Sequence, residues 1–298
     1  MNENQVVKPL LSVCLITYNH VKYIREAIDS ILMQKVNFSL QLIIADDFST
    51  DGTRDILLEY KAKYPDFIKL ILQSENVGAR KNWTELMTSP DSKYISYFEG
   101  DDYWTDPNKL QKQVDFLEVN TDYSICTHNV SVMFYDSNDK LIRKVEWLGQ
   151  EHRETYTVND LLMYGSGGAT CSLLFRRSAI DPFPEGFKIL GGGDWALQIF
   201  CAEKGKMKYF KEIMGVYRKH SLGLVSTTKS TIIYKEFGTD VCGYFDKYFN
   251  YKYNKEISYQ MYHYFYPNLA DAYFENKNFT LYLITCLKRF FVKIKYMF

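Results

Sequence analysis

An α/β fold built on a doubly wound, mostly parallel sheet is predicted for this 298-residue chain. Two observations predict it. Apolar runs of strand length alternate with segments of helical spacing through the first third of the chain, the order of a parallel sheet with crossover helices. Those runs also end in polar or acidic turn sequences, the place where open α/β sheets carry their ligands.

The elements follow in order. Leu11-Ser12-Val13-Cys14-Leu15-Ile16 is an apolar run of buried-strand length that stops at Thr17-Tyr18-Asn19-His20. Ile24, Ala27, Ile28, Ile31 and Leu32 then recur at helical spacing. A second strand, Leu40 to Ala45, meets Asp46-Asp47, and Phe48-Ser49-Thr50-Asp51-Gly52-Thr53 is turn and cap chemistry ahead of a helix to about Tyr64. Ile68 to Leu72 is the third strand, leading through Glu75-Asn76-Val77-Gly78 to a helix near Asn82 to Met87. Lys93 to Phe98 is the fourth, ending in Glu99-Gly100-Asp101-Asp102-Tyr103-Trp104 before a helix over Lys109 to Val119. Beyond it the pattern loosens. Ser124 to Tyr135 and Leu141 to Trp147 read as a small antiparallel part around the turn at Asp136 to Asp139. Gly165-Ser166-Gly167-Gly168 reads as a flexible loop, Cys171 to Arg176 as a strand, and Gly191-Gly192-Gly193-Asp194-Trp195 opens a helix to about Glu203. After His220 the chain turns rich in Tyr, Phe and Lys at helical spacing. The expected division is a main domain over residues 1–226 and a helical carboxyl-terminal extension over 227–298.

A hydrophobic share of 46% with 24% charged residues is that of a globular protein. Acidic and basic side chains balance at 36 each, so no overall field points to nucleic acid as a partner. The six cysteines are scattered without a C-x-x-C pair and several sit in apolar contexts, which favours buried thiols over bridges or zinc ligands. The first residues lack the charged-then-apolar layout of a signal peptide, and no run reaches the roughly 18 apolar residues of a spanning helix. A cytoplasmic location is expected.

In a parallel sheet the carboxyl ends of all strands share one edge, so Thr17, Asp47, the Asn76–Asn82 loop and the pair Asp101-Asp102 converge there. Adjacent carboxylates repel unless a cation or a donor offsets their charge. Magnesium and manganese favour such oxygen ligands, alongside substrate phosphates. Asp47 suits the imide N–H of a uracil or ribose hydroxyls, Thr17 adds a hydroxyl, and Arg80 or Lys81 can meet a pyrophosphate, Arg in a bidentate manner. The plainer readings stay open: Asp101 and Asp102 as solvated acids, and Asp47 as the cap of the helix after Gly52. Neither a G-x-G-x-x-G turn nor a Walker loop is present.

The layout of Ser12 to Asn19, Ile44 to Thr53, Glu75 to Gly78 and Glu99 to Asp102 closely resembles glycosyltransferase family 2, inverting enzymes of GT-A fold that use nucleotide-diphosphate sugars. The resemblance covers roughly residues 10–222 and implies a GT-A-like sheet. It implies nucleotide contacts at Thr17, Asn19, Asp47, Asn76, Arg80, Asn82 and Asp101. It implies a divalent cation, Mn2+ or Mg2+, on Asp102 as the direct ligand and on His220. Arg80-Lys81-Asn82 departs from the family's Ala-Arg-Asn. At Gly193-Asp194 a Gly replaces the family's Glu, leaving Asp194 as the implied catalytic base, against a plain helix cap. Val216 to Ser221 resembles the family's Tyr-Arg-x-His element, with Arg218 supporting the same loop. The implied partners are a nucleotide-diphosphate sugar donor, UDP-linked, and a glycan or lipid-linked acceptor. The other histidines (His20, His128, His152, His263) have no metal-like spacing.

Residues 279–298 contain no acid, while Lys288, Arg289, Lys293 and Lys295 are basic. Leu283, Leu287, Phe290, Phe291 and Ile294 share a helical sector, which suits an anionic membrane surface and a peripheral location. A helix docked on the domain by that sector, with lysines in solvent, is the equal alternative. Two rivals to sugar transfer stand beside it. A sugar-phosphate nucleotidyltransferase would carry a glycine-rich basic loop after the first strand, unlike Thr17-Tyr18-Asn19-His20. A non-catalytic glycan-binding module would have no use for Asp47, Asp101, Asp102 and Asp194 together.

Overall fold

The computed structural model describes residues 8–147, 153–190 and 193–296; His152, Gly191 and Gly192 lie outside the described residues. The first part of the chain follows the predicted alternation. It runs β1 (Leu11–Thr17), α1 (Ile24–Leu32), β2 (Leu40–Asp46), α2 (Thr53–Lys63), β3 (Ile68–Leu72), α3 (Ala79–Thr88) and β4 (Tyr94–Glu99). Next come β5 (Tyr103–Trp104), α4 (Lys109–Val119), β6 (Tyr123–Tyr135), β7 (Leu141–Glu146), β8 (Thr155–Tyr156), α5 (Val158–Tyr164), β9 (Leu174–Arg176), α6 (Gly193–Lys204) and β10 (Lys206–Lys219). Helices α7 (Leu224–Thr227), α8 (Ser230–Tyr234), α9 (Asp240–Tyr248), α10 (Asn254–Gln260), α11 (Tyr266–Glu275) and α12 (Phe279–Tyr296) complete the chain.

One sheet runs in the order β3-β2-β1-β4-β9-β6-β10-β5, with β7 on β6 and β8 on β10. β1 to β4 are parallel, β9 is antiparallel to both its neighbours, and β10 runs parallel to β6. Both faces are covered, which explains the near-continuous apolar runs. Leu11, Val13 and Leu15 pack with α1, α2 and α4, while Cys14 points to the opposite face with α3 and α6.

Four elements escaped the sequence reading, and each has a local reason. β10 is long, but its register slips near Phe210, Ile213 and Gly215, so apolar residues lose their period of two. β5 and β8 are two-residue pairings made only by their partner β10. α5 is a short helix held by a capping box between Thr157 and Asp160. The expected strand from Cys171 shrinks to Leu174–Arg176, because Thr170–Ser172 form a 3₁₀ turn. The Gly165–Gly168 stretch is pinned, contrary to the flexible loop expected. Gln198 accepts from Gly167 N at 2.8 Å and donates to Gly168 O at 3.2 Å. A Cβ at Gly168 would lie 2.7 Å from Thr127, so only glycine fits that approach.

Residues beyond 226 are helical as expected and continue the main core. Val241, Cys242 and Phe245 of α9 and Ile257 of α10 are buried in the cluster that contains Cys14, Ile43 and Phe200. No helix among the described residues is long and apolar enough to cross a membrane.

Candidate active site

A cleft of about 570 Å³ opens at the carboxyl edge of β1, β2 and β4. Thr17, Asp47, Asn76, Arg80, Asn82, Asp101, Asp194 and His220 all line it, so most of the residues singled out in the sequence meet in one place. Asn19 and Asp102 do not.

The two acidic pairs obey the same rule. In each pair one acid faces the cleft and the other turns inward; Asp46 ends β2, whereas Asp101 and Asp102 lie in a turn closed by Asp102 N–H on Glu99 O at 3.1 Å. Asp46 is fully buried and its Oδ2 accepts from Arg54 Nε at 2.9 Å, Arg54 Nη2 at 2.6 Å and Ser49 N at 3.1 Å. Asp47 lines the cleft and accepts from Val77 N at 2.8 Å, which ties the β2 and β3 loops together. Asp47 does not cap α2, whose N-cap is Gly52; the first helical N–H, that of Thr53, meets Asp51 at 2.9 Å. Likewise Asp102 is fully buried, taking the Arg218 backbone N–H at 2.8 Å, while Asp101 lines the cleft. Arg218 also donates through Nη1 to Asp101 O at 2.7 Å, pairs with Glu26, and lies 4.3 Å from the centre of the Tyr103 ring. One arginine on β10 therefore clamps the whole Asp101-Asp102 turn.

Their charges differ accordingly. Burial and the Asp101 charge push the Asp102 carboxyl well above the usual carboxylate range. Burial also acts on Asp101, but His20 and His220 outweigh it and hold Asp101 below that range. His220 Nε2 lies 3.1 Å from Asp101 Oδ2, and His20 Nε2 lies 3.9 Å from the same oxygen. Burial lowers the His20 pKa despite the nearby Asp101. Of the adjacent pair, Asp101 is thus the carboxylate that faces the cleft and favours ionisation, flanked by two imidazoles. His20 was missed in the sequence because its role rests on Thr17, whose hydroxyl meets His20 Nδ1 at 3.3 Å.

Gly100 explains how close these groups come. A Cβ there would stand 2.9 Å from Thr17 Oγ1 and 3.0 Å from His20 Nδ1. Gly100→Ala should displace both and cost about 1–3 kcal/mol through overpacking, measurable by chemical denaturation. An unchanged midpoint would mean that the loop relaxes freely.

Asp194 sits in the first turn of α6, one residue inside the helix rather than at its cap. It accepts from Trp195 N at 2.8 Å and from the Thr170 hydroxyl at 3.3 Å. A helix amino terminus should keep its carboxylate ionised. The structure adds an opposing effect that prevails: burial raises the Asp194 pKa over the help of those two donors. Glu99, on the same side of β4 as the buried Tyr97, lines the cleft within reach of Thr170. Burial and the charges of Asp101, Asp102 and Asp194 raise its pKa strongly. Glu99 and Thr170 were not singled out in the sequence. The period of two along β4 was the available signal for Glu99, whereas Thr170 depends on the pinned glycine stretch. A Cβ at Gly193 would meet only Trp83, at 3.8 Å, so packing does not demand glycine there.

The remaining expected residues act as wall and brace. Asn82 is fully buried, donating to Ala45 O at 3.2 Å and accepting from Gln73 at 3.2 Å. Asn19, at φ 55°, accepts from Thr50 N at 2.9 Å and receives no share of the cleft. Asn76 and Arg80 are exposed on the rim. His128 is a core residue bonded to Asn129 O, its pKa lowered by burial to about 3.

A mostly parallel sheet whose carboxyl edge carries Asp47 and Asp101 in one cleft with an acidic helix start at Asp194 matches a GT-A glycosyltransferase fold. Residues 12–182 match the family described as Glycosyl transferase family 2, and the chain belongs to that family. An uncharacterised protein of Mycobacterium bovis is 36% identical over 216 residues, covering 72% of this chain and 60% of that protein. The chain therefore spans 60% of the length of this relative. The dTDP-rhamnosyl transferase RfbG of Shigella flexneri is 34% identical over 219 residues, covering 68% of this chain and 71% of its own. The mannosyltransferase PcManGT of Pyrobaculum calidifontis, solved with GDP-Man and Mn2+, matches in fold with a TM-score of 0.58. It shares 15% identity, over 90% of this chain and 74% of that one.

Proposed function

We propose that this protein is an inverting glycosyltransferase, moving a sugar from a nucleoside-diphosphate sugar to a hydroxyl of a glycan or lipid-linked acceptor. The observation that carries the reading is the cleft lined together by Asp47, Asp101 with His220 beside it, and Asp194. The named relative and the fold neighbour, which act on or bind nucleotide sugars, support it.

Each residue then has a task. Asp47 accepts from the imide N–H of a uracil or thymine base or from ribose hydroxyls, with Thr17 beside it; the donor is UDP- or dTDP-linked. Arg80 on the rim meets the diphosphate. A divalent cation fits the ionised Asp101 carboxylate and the His220 imidazole, and that mixed oxygen and nitrogen set suits Mn2+ better than Mg2+. Such a cation, when bound, offsets the charge on the departing diphosphate. Asp102 serves by holding the turn through Arg218, not by facing the ligand. The acceptor oxygen bonds to the anomeric carbon as the bond from that carbon to the diphosphate oxygen breaks. The hydroxyl proton passes to Asp194, held in position by Thr170 and Trp195 N–H. A raised pKa brings this carboxylate nearer the working pH, where a base is most effective. A reducing, cytoplasmic setting is part of the proposal, supported by six free cysteines of which five are buried.

The test is nucleoside-diphosphate release from a panel of UDP-, dTDP- and GDP-sugars with manganese. Absence of both binding and release across the panel would sink the reading. Asp47→Ala should weaken nucleotide binding roughly tenfold, about the 1.4 kcal/mol of one lost polar contact, while the manganese enhancement persists. Binding at parental strength in calorimetry would reduce Asp47 to a loop brace for Val77.

A further inference from the structure

We infer that α12 lies flat on an anionic lipid surface. The sequence left two dockings open, and the orientation of this helix separates them. At 3.6 residues per turn, Phe279, Phe290, Leu283, Ile294, Leu287, Phe291 and Ile284 occupy an arc of about 140°. That arc faces away from the protein. Leu283, Leu287, Phe290, Phe291 and Ile294 are each between 55% and 64% exposed, whereas Thr285 on the opposite side is 5% exposed. The inward side is mixed, carrying Thr285 and Arg289 beside Tyr and Val. Arg289 donates to Tyr262 O at 3.1 Å with its guanidinium 4.8 Å from the Tyr262 ring centre, and Tyr282, Val292 and Tyr296 flank it. A helix serving only as a packed strut would do the reverse, burying Phe and Leu and showing its basic residues to water.

Charge selects the occupant. Lys293 borders one edge of the apolar arc and Lys295 and Lys288 border the other, all of them exposed, with no acid anywhere on the helix. That arrangement fits an interfacial helix, whose apolar face enters the acyl boundary while flanking lysines reach up to headgroup phosphates. A second copy of the chain suits it poorly, since pairing two such faces would bring lysine edges together with nothing to neutralise them. The helix is also too short on apolar residues to span a bilayer. Phe274 at the end of α11 is likewise exposed and packs edge-on against Phe279, at 5.7 Å between ring centres, extending the apolar face toward the body of the protein.

The tether reaches the cleft. α11 packs on both α12 and α8, and Phe237, just past α8, lines the cleft wall. An enzyme held on a membrane through α12 is thus linked to its substrate cleft through α11 and α8, an arrangement that suits an acceptor embedded in lipid. The surface assignment itself stands on α12 alone and holds whether or not the sugar-transfer reading is correct.

Sedimentation of the full chain with vesicles tests it, using phosphatidylglycerol–phosphatidylcholine mixtures against phosphatidylcholine alone at low salt. Binding is expected to the anionic vesicles and not to the neutral ones, weakening as salt rises. Phe290→Ser with Phe291→Ser should reduce it at least tenfold, and so should Lys288→Glu with Lys293→Glu, both with unaltered melting because the side chains are exposed. No sedimentation with anionic vesicles, or binding indifferent to both double variants, overturns the inference. So does a dimer in size-exclusion chromatography that Phe290→Ser with Phe291→Ser dissociates while vesicle binding is absent.

Discussion

Asp194→Asn is expected to lower sugar transfer by roughly a hundredfold or more, the scale of a lost general base, with donor binding near parental. Asparagine keeps the shape: its amide oxygen accepts from Trp195 N–H in place of Oδ1, and its amide nitrogen, in place of Oδ2, donates to the Thr170 hydroxyl, which turns to accept. Stability should not fall. Burial raises the folded pKa of Asp194 above its ordinary value, so protonation favours the folded state, and the ionised carboxylate contributes least once pH passes that raised pKa. At neutral pH the variant should melt at or slightly above the parent temperature. The pH profile carries the second signature. Transfer by the parent should fail on the acid side with a midpoint above the ordinary carboxylate range, as Asp194 takes up its proton. Parental rates in the variant, followed by diphosphate release, would leave Asp194 a structural acid of α6.

Asp101→Asn is expected to abolish the gain in nucleotide affinity that manganese brings, a loss of at least roughly tenfold on the scale set by metal-site changes. Calorimetry of UDP binding with manganese and with excess chelator reads it directly. Asp102 provides the control, because the sequence alone points to it as the metal ligand. Asp102→Asn retains an acceptor for the Arg218 N–H and should keep the manganese effect. Asp102→Ala leaves that buried N–H without its partner and should cost about 1–3 kcal/mol of stability. Should Asp102→Asn lose the metal effect and Asp101→Asn keep it, the roles read from the cleft would have to be exchanged.

Much of this protein was legible in the order of its residues. Apolar runs such as Leu11–Ile16 and Leu40–Ala45 determine parallel strands because both faces of such a sheet are buried. The acids and hydroxyls that follow them must then gather at one edge, and Thr17, Asp47 and Asp101 do so, with Asp194 brought to the same cleft by the start of α6. Local spacing also sufficed for α1, α2, α4 and α6, whose periodicity and end signals lie within a few residues of one another.

What only the tertiary structure decided are directions set by distant partners. Asp101 faces the cleft and Asp102 turns inward because Arg218, 116 residues along the chain from Asp102, supplies the backbone donor that fixes the turn. Thr170 reaches Asp194 because Gln198 pins the glycines before it. β10 exists as a strand because β6 pairs with it through its bulges, not because its own pattern announces one. The amphipathic period of α12 was plain, yet which face meets the protein was not. A helical period defines two faces without saying which of them docks. Here Arg289 and Thr285 turn inward, and the apolar face is left outward.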